Sequence, residues 1–254
     1  MTAQPDNGAN RPRKGFWFGV VVAIVKPVML ALTKRDWRGA ENLPRSGGIV
    51  VVANHVSHVD PVVIGHYIYD NGRIPRMLGK ASLFKIPVMG RIITNAGQIP
   101  VYRGSADAAH AFRAAVDAVE RGECVMVYPE ATITRDPAQW PMTGKTGAAR
   151  IALTTGCPVI PVAQWGPQEL YPPYGHKVSL LPRKTMHLIT GKPVDLSAFQ
   201  GKPMTPELLR EATAVMMREI AVLLGTLRGE TPPAELYDAR KARKSDGSDG
   251  EESR

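Results

Sequence analysis

The chain has 254 residues, 44% of them hydrophobic, and a formal net charge of +9. This size and apolar content predict one substantial core with short appendages. The positive charge predicts an anionic partner, such as a membrane surface, a nucleic acid or a phosphorylated substrate. Cys124 and Cys157 lie in apolar runs and are expected to be reduced core residues. The sequence has no paired CxxC units, and we expect no metal in the functional site.

The N-terminal region combines basic, aromatic and aliphatic residues. Residues 1–10 are polar and predict a flexible N-terminus, whereas residues 11–36 contain two short apolar runs separated by Lys26-Pro27. Neither run reaches the roughly 20 apolar residues that span a bilayer. We therefore predict a membrane-interfacial helical segment attracted by anionic lipid. A cleaved signal peptide and an amphipathic core helix are the alternatives.

Strand-like apolar runs alternate with helix-like stretches along the next two hundred residues. The strand candidates are Ile49–Ala53, Met77–Gly79, Gln98–Tyr102, Cys124–Tyr128, Val159–Ala163 and Thr185–Ile189. Helices are predicted from Ser105, over Gly147–Thr155 and from Thr205. This alternation predicts an α/β fold, with a mixed, largely parallel sheet flanked by helices. We assign this domain to residues 37–230 and a charged disordered tail to residues 231–254.

A histidine and an aspartate lie where the first predicted strand meets the following helix. His55 follows the apolar run Gly48–Ala53, and Asp60 precedes Pro61, which suits a first helical turn. Open α/β sheets bind ligands at this point, so we predict that His55 is a general base oriented by Asp60. In the alternative interpretation, Asp60 only caps its helix and His55 is an ordinary loop residue.

Polar residues also follow three other predicted strands. Arg103 follows the third strand, Glu130 comes after the fourth, and Gln164-Trp165-Gly166 follows the fifth. Parallel strand ends meet at one sheet edge, so these residues predict a base, a phosphate binder and a polar group in one site. Taken singly, Arg103 has an alternative as a solvated charge, and Glu130 has one as a carboxylate at a helix start.

Four sequence blocks resemble those of the glycerolipid acyltransferases, a family typified by bacterial 1-acylglycerol-3-phosphate acyltransferase. The four blocks are Asn54–Asp60, Gly97–Arg103, Tyr128–Thr132 and Val159–Val162. They match the family's NHxSxxD, Gly-x-Ile-Pro-x-x-Arg, Phe-Pro-Glu-Gly-Thr-Arg and Val-Pro-Val blocks in order and spacing. The resemblance covers residues 37–195 and implies the α/β fold that the alternating runs predict.

The resemblance implies an acyl transfer in which His55 removes the proton from an attacking hydroxyl group. Asp60 would fix the tautomer of His55 and stabilise the imidazolium. The hydroxyl of the bound acceptor would be the nucleophile, so we expect Ser57 to make turn or capping hydrogen bonds rather than an acyl-enzyme. A backbone N–H would supply the oxyanion donor.

The resemblance also implies the substrates. Arg103, with Lys145 or Arg135, would hold the phosphate of the acceptor, and Glu130 would position its glycerol hydroxyl groups. The acyl group would pass from acyl-CoA or acyl carrier protein to lysophosphatidic acid, giving phosphatidic acid for phospholipid biosynthesis. Glycerol 3-phosphate, another lysolipid and a glycolipid are the alternative acceptors. The thioester is a co-substrate, no cofactor is expected, and the enzyme would lie on the cytoplasmic face of the cell membrane as a peripheral or monotopic protein.

The third block departs from the family pattern at two positions. Ala131 stands in place of glycine, which argues against a positive φ there. Ile133 stands in place of arginine, and Arg135 arrives two residues later. The segment Gly144–Gly147 is similar to the end of a P-loop, but Gln139 replaces the first glycine of that pattern.

Two other function classes fit the sequence less well. A basic nucleic-acid-binding module would explain the net charge, but the sequence has no recognisable binding motif or aromatic strip, so no nucleic acid is expected as a partner. A serine hydrolase built on Ser57 would need a Gly-x-Ser-x-Gly elbow, which the sequence lacks.

Overall fold

The computed structural model describes residues 15–101, 105–175, 177–239 and 241–242. The helices are α1 (Phe16–Leu32), α2 (Asp60–Asp70), α3 (Ala81–Phe84), α4 (Met89–Asn95), α5 (Ser105–Glu120), α6 (Gly147–Thr155), α7 (Pro167–Leu170) and α8 (Pro206–Arg228). The strands are β1 (Thr33–Arg38), β2 (Ile49–Ala53), β3 (Pro75–Lys80), β4 (Ile99–Val101), β5 (Cys124–Val127), β6 (Val159–Trp165) and β7 (Lys184–Thr190). Short 3₁₀ helices occupy Ala40–Asn42 and Ser197–Phe199.

The strands form one mixed sheet in the order β1-β7-β6-β2-β5-β3-β4. Every neighbouring pair is parallel except β6 and β7, so β1 and β7 run opposite to the other five strands. This confirms the predicted α/β class with a largely parallel sheet. All six predicted strands are present within a few residues of their predicted bounds, although Tyr102 lies outside the described residues.

Strand β2 lies in the middle of the sheet and is buried on both faces. Val50 and Val52 pack among α5, α6 and α8 on one face. Ile49, Val51 and Ala53 pack on the other face, where α1 and α2 lie. Successive side chains of a strand point to opposite faces, so a continuous apolar run is what a central strand needs. The residues that follow β2 therefore emerge at the centre of the sheet edge.

Two helices have the ends that their sequences predict. Helix α6 ends at Gly156, which takes the left-handed conformation with φ 66°. Helix α8 begins after Thr205, whose side chain accepts a hydrogen bond from the N–H of Leu208. Both signals are local and depend little on the rest of the chain.

The N-terminal segment differs from the prediction at its end. Helix α1 stops at Leu32, and Thr33–Arg38 forms β1, an edge strand that pairs in parallel with β7. The predicted helical segment is thus wrong for residues 33–36. This strand carries several charged residues, so its sequence lacks the usual apolar pattern, and its ladder with β7 is what makes it a strand. No helix within the described ranges is both long and apolar enough to cross a bilayer.

The folded part of the chain that the structure describes extends past residue 230. The backbone of Tyr237 pairs with Met142, and its carbonyl oxygen accepts a hydrogen bond of 3.0 Å from the N–H of Thr143. Arg218 donates a 2.6 Å hydrogen bond to the carbonyl oxygen of Pro233. These contacts correct the predicted start of the tail at residue 231, because backbone pairing orders this segment without an apolar run.

Candidate active site

His55 and Asp60 form a direct hydrogen-bonded pair at the carboxyl end of β2. His55 Nδ1 lies 2.7 Å from Asp60 Oδ2. A carboxylate only accepts hydrogen bonds, so Nδ1 carries the proton and Nε2 is left with its lone pair. No described residue forms a hydrogen bond with Nε2, and His55 lines a large cleft. The pair has the geometry of a general base held by an orienting carboxylate.

Asp60 turns its carboxylate back toward the loop instead of capping its helix. Its Oδ2 accepts hydrogen bonds from the backbone N–H groups of Val56, at 2.6 Å, and Ser57, at 2.9 Å. The alternative in which Asp60 only caps α2 is therefore wrong. Burial raises the pKa of Asp60 above its ordinary value, although His55 and the two N–H groups oppose this rise. A nearby positive charge stabilises a buried carboxylate more than it stabilises a carboxylate in water. The buried Asp60 carboxylate therefore favours transfer of a proton to the imidazole of His55.

Glu130 braces the loop that carries His55. Its Oε1 accepts a 2.9 Å hydrogen bond from the N–H of His55, and its Oε2 accepts one of 3.0 Å from the N–H of Met142. Its side chain is only 4% exposed. Glu130 also lines the cleft that contains His55, so its contact with the glycerol hydroxyl groups stays a prediction. Burial raises the pKa of Glu130 to about 8.

Two further contacts fix the plane of the imidazole and its loop. The ring of Tyr128 stacks on that of His55, with a centroid distance of 4.3 Å and an interplanar angle of 19°. The N–H of Thr134 donates a 2.8 Å hydrogen bond to the carbonyl oxygen of His55. We did not predict either role. The position of Tyr128 at the end of an apolar run, two residues before Glu130, is the signal that would have identified its role.

A reciprocal pair of buried amides joins the ends of β2 and β6. Asn54 donates to the carbonyl oxygen of Gln164 at 3.0 Å and accepts from its N–H at 2.9 Å. The Gln164 side chain donates to the carbonyl oxygen of Asn54 at 2.9 Å. These bonds hold the residue before His55 against the neighbouring strand. Polar residues at adjacent strand ends were visible in the sequence, but their pairing was not.

Ser57 is buried and engaged in structural hydrogen bonds. Its hydroxyl group donates to the carbonyl oxygen of Tyr171 at 2.6 Å and accepts from the N–H of Val59 at 3.3 Å. Its exposed fraction is zero, so an incoming thioester has no access to this oxygen. The expected turn role of Ser57 agrees with these contacts.

Ala131 adopts the left-handed conformation, with φ 57°. Our inference that alanine argues against a positive φ at this position is therefore wrong. The turn between Tyr128 and Ala131 closes through a 3.0 Å hydrogen bond from the N–H of Ala131 to the carbonyl oxygen of Tyr128. The backbone geometry is imposed by this turn and by the contacts of Glu130, and the methyl group of alanine is accommodated at a conformational cost.

Three cationic residues were predicted to bind the acceptor phosphate, and the structure describes two of them. Lys145 and Arg135 both line the cleft that contains His55, and both are exposed. The N–H of Lys145 donates to the carbonyl oxygen of Pro129 at 2.8 Å, which places Lys145 beside the Glu130 turn. Arg103 lies outside the described residues. The structure thus brings two of the three predicted cations to the cleft.

The cleft has a volume of about 2580 Å³ and crosses the carboxyl edge of the sheet. Residues at the ends of β2, β3, β4 and β5 line its middle, while α1 and α2 line one side and α6 and α8 line the other. A base, exposed cations and apolar walls therefore share one open site. This combination suits acyl transfer onto a hydroxyl group of an anionic amphiphile.

Comparisons with known proteins agree with this chemistry. A family model described as "Acyltransferase" matches residues 34–165. The 1-acyl-sn-glycerol-3-phosphate acyltransferase of Salmonella typhimurium is 29% identical over 218 residues, which cover 84% of this chain and 82% of that protein. The enzyme of the same name from Borreliella burgdorferi is 28% identical over 134 residues, or 52% of each chain. The chloroplastic BAT2 of Brassica napus, also a 1-acyl-sn-glycerol-3-phosphate acyltransferase, is 31% identical over 141 residues.

The chain spans 39% of the length of the Brassica protein and about half of the Borreliella protein. Among solved structures, the LPA acyltransferase PlsC from Thermotoga maritima matches with a TM-score of 0.60 and 25% identity, covering 85% of this chain and 81% of that chain. Since the family model spans more than half of the 254 residues, the chain belongs to the acyltransferase family.

Proposed function

We propose that the protein transfers a fatty acyl group from a thioester, acyl-CoA or acyl carrier protein, to lysophosphatidic acid and so forms phosphatidic acid for phospholipid biosynthesis. The observation that carries this proposal is the 2.7 Å His55–Asp60 pair opening into a cleft with both cationic and apolar walls. The names of two relatives, both 1-acyl-sn-glycerol-3-phosphate acyltransferases, support the choice of acceptor. No cofactor is part of this proposal.

The reaction needs one base and no covalent intermediate on the protein. The acceptor oxygen attacks the thioester carbonyl carbon while His55 Nε2 takes the hydroxyl proton. Asp60 stabilises the imidazolium that results. When the tetrahedral intermediate collapses, the carbon–sulfur bond breaks and the proton passes from His55 to the leaving thiolate. The products are an ester and a free thiol.

The acceptor phosphate would bind next to the base. Lys145 lies beside the turn that contains Glu130, whose carboxylate contacts the backbone of His55. A phosphate held by Lys145 and Arg135 would place a glycerol hydroxyl group near Nε2, because the two groups are joined through a short glycerol backbone. Arg103 is proposed as a third contact.

We also propose that the enzyme works at a membrane surface, on the cytoplasmic face. Helix α1 exposes Phe16 by 77% and Ile24 by 62%, and it packs against α4. The neighbouring segment exposes Val88 by 69%, and Lys85 and Arg91 flank it on the surface. An apolar patch with cationic borders suits insertion into the interface of an anionic bilayer.

An acceptor panel tests the reaction. Purified protein would be given one labelled acyl-CoA with lysophosphatidic acid, glycerol 3-phosphate, a lysolipid without a free phosphate monoester, or a glycolipid. We expect the highest kcat/KM with lysophosphatidic acid, and loss of transfer in His55→Ala at unchanged Tm. Faster turnover of any other acceptor would replace the proposed substrate, and normal turnover in a folded His55→Ala variant would contradict the base assignment.

Vesicle binding tests the membrane proposal. Phe16→Gln combined with Ile24→Gln leaves the core intact, because both side chains are exposed. Binding to vesicles that contain anionic phosphatidylglycerol should fall about tenfold or more. Val222→Gln, which changes a 45% exposed apolar residue on α8, is the control. Equal binding of both variants would refute the role of α1.

A further inference from the structure

The two sides of the cleft have different chemistry. On the side of α1 and α2 the lining is mainly apolar, with Phe18, Val21, Val22 and Val25 of α1 prominent. On the side of α6 and α8 the lining carries three arginines, Arg150, Arg210 and Arg218. His55 lies between the two sides, at the sheet edge. In the proposed function, lipid binds at the apolar side of the cleft, but no ligand is assigned to the three arginines.

Residues on one side of helix α8 form a wall of the cleft. Buried Thr213 and Met217 form its floor, and Arg210 and Arg218 stand exposed at its margin. These two arginines are eight positions apart in the sequence, so they lie about 12 Å apart along the helix axis. A row of cations of this length suits a ligand that carries several phosphates better than it suits a ligand with one phosphate.

Arg150 adds a third cation across from this wall. Its guanidinium lies 4.7 Å from the ring centroid of Phe112, which holds the planar group by a cation–π contact. No described residue forms a hydrogen bond with its side-chain N–H groups, so they are available to an anion. Among the described residues, the ion-pair partner of Arg210 is Glu207, and such an exposed pair exchanges partners at little cost.

Carboxylates limit where the anion can lie. Glu235 and Asp238 line the cleft on the same side, near the segment whose Pro233 accepts a hydrogen bond from Arg218. Lys241 and Arg218 line the cleft beside these carboxylates and offset their charge. Arg150 and Arg210 contact neither carboxylate, so they are the cations most available to an anionic ligand among the described residues of this wall. His55, Lys145 and these arginines all line the same cleft.

We propose that this arginine groove, formed by Arg150, Arg210 and Arg218, binds the phosphorylated nucleotide of a CoA thioester donor. This inference rests on the proposed acyl transfer and names the donor for it. CoA carries a nucleotide with several phosphates at one end of a long flexible arm and the reactive thioester at the other. With the nucleotide in the arginine groove, the arm follows the cleft and delivers the thioester to His55. The acceptor then enters from the apolar side, where α1 lies.

The test uses two matched double variants. Arg150→Gln with Arg210→Gln removes two groove cations, and Arg113→Gln with Arg121→Gln removes two cations from α5 and its end, outside the cleft. The two double variants remove the same charge. Arg210 and Arg121 each form an ion pair, and their side chains are 64% and 61% exposed. Calorimetry would measure binding of CoA and of 3′-dephospho-CoA, and initial rates would give the KM for acyl-CoA and for the acceptor.

We expect the groove variant to weaken CoA binding and raise the KM for acyl-CoA about tenfold, with kcat and the acceptor KM within twofold of wild type. We also expect added salt to weaken CoA binding in the wild type more than in the groove variant. The α5 variant should behave as wild type. Equal effects of both variants, a rise in the acceptor KM instead, or a loss seen only with acyl carrier protein would each overturn the proposal.

The binding experiment also separates this inference from the proposed function. CoA binding requires no transfer, so His55→Ala should bind CoA as wild type does. If the wild type binds CoA through the groove but acylates none of the acceptors, the proposed function fails and the groove assignment stands. If the wild type transfers acyl groups and the groove variant binds CoA as tightly as the wild type, the groove assignment fails and the proposed function stands.

Discussion

Replacing Asp60 by asparagine removes the negative charge that faces His55 while keeping the size of the side chain. In the wild type, Asp60 Oδ2 accepts hydrogen bonds from His55 Nδ1 and from the backbone N–H groups of Val56 and Ser57. The amide oxygen of asparagine can still accept from the loop, so the fold should survive. What the variant loses is the counter-charge for the imidazolium that forms as the acceptor is deprotonated.

The size of this loss follows from the observed geometry. With 2.7 Å between His55 Nδ1 and Asp60 Oδ2, the two charge centres lie about 4 Å apart, and Coulomb attraction at an effective dielectric constant of about 20 is about 4 kcal/mol. A barrier raised by that amount slows the reaction about a thousandfold. Because the charge matters in the transition state, kcat should fall and KM should change little.

The assay is steady-state acyl transfer with saturating acyl-CoA and lysophosphatidic acid, with Tm as the check on folding. His55→Ala provides the background rate, and a double variant with Asp60→Asn should be no slower than His55→Ala alone, because the two residues act as one unit. A folded Asp60→Asn enzyme that keeps more than a tenth of wild-type kcat would refute the view that Asp60 stabilises a protonated His55.

Three stability predictions follow from the loops around His55, each measured as the free energy of unfolding in urea. Burial raises the pKa of Glu130 from 4.5 to about 8. Between these pH values the folded state holds a proton that the unfolded state has lost, so the free energy of unfolding should fall as the pH rises through this window. The Glu130→Gln variant should lack this pH dependence. An unchanged slope in the variant would show that other groups cause it. Ala131→Gly should gain about 1 kcal/mol, because glycine adopts φ 57° without strain, and a loss would contradict the left-handed turn. Asn54→Ala should lose about 2–4 kcal/mol, because it leaves the buried N–H and carbonyl groups of Gln164 unpaired, whereas a change below 1 kcal/mol would mean that water replaces the amide.

Contacts between residues close in the chain were accessible from the sequence. His55 and Asp60 are five residues apart, so one turn from a strand into a helix is enough to bring them together. The end of α6 at Gly156 and the start of α8 at Thr205 are also local. Their agreement with the structure reflects short-range rules of capping and turn geometry.

Contacts between distant residues were not accessible. Glu130 meets the backbone of His55 across 75 positions, and its polar character alone equally suggested a substrate contact. Strand β1 was missed because its charged sequence has no strand pattern, and only pairing with β7 at the sheet edge orders it. The positive φ of Ala131 likewise runs against its residue type.

The sequence by itself determined the class of fold and the proximity of His55 to Asp60, because both depend on local periodicity and spacing. Only the tertiary structure decided which groups surround them. The sheet order places β2 at the centre, so α1 lies on one side of His55 and the α8 arginines lie on the other. That separation of apolar and cationic walls depends on which helix packs on which face, a choice made by the whole core and by no single segment.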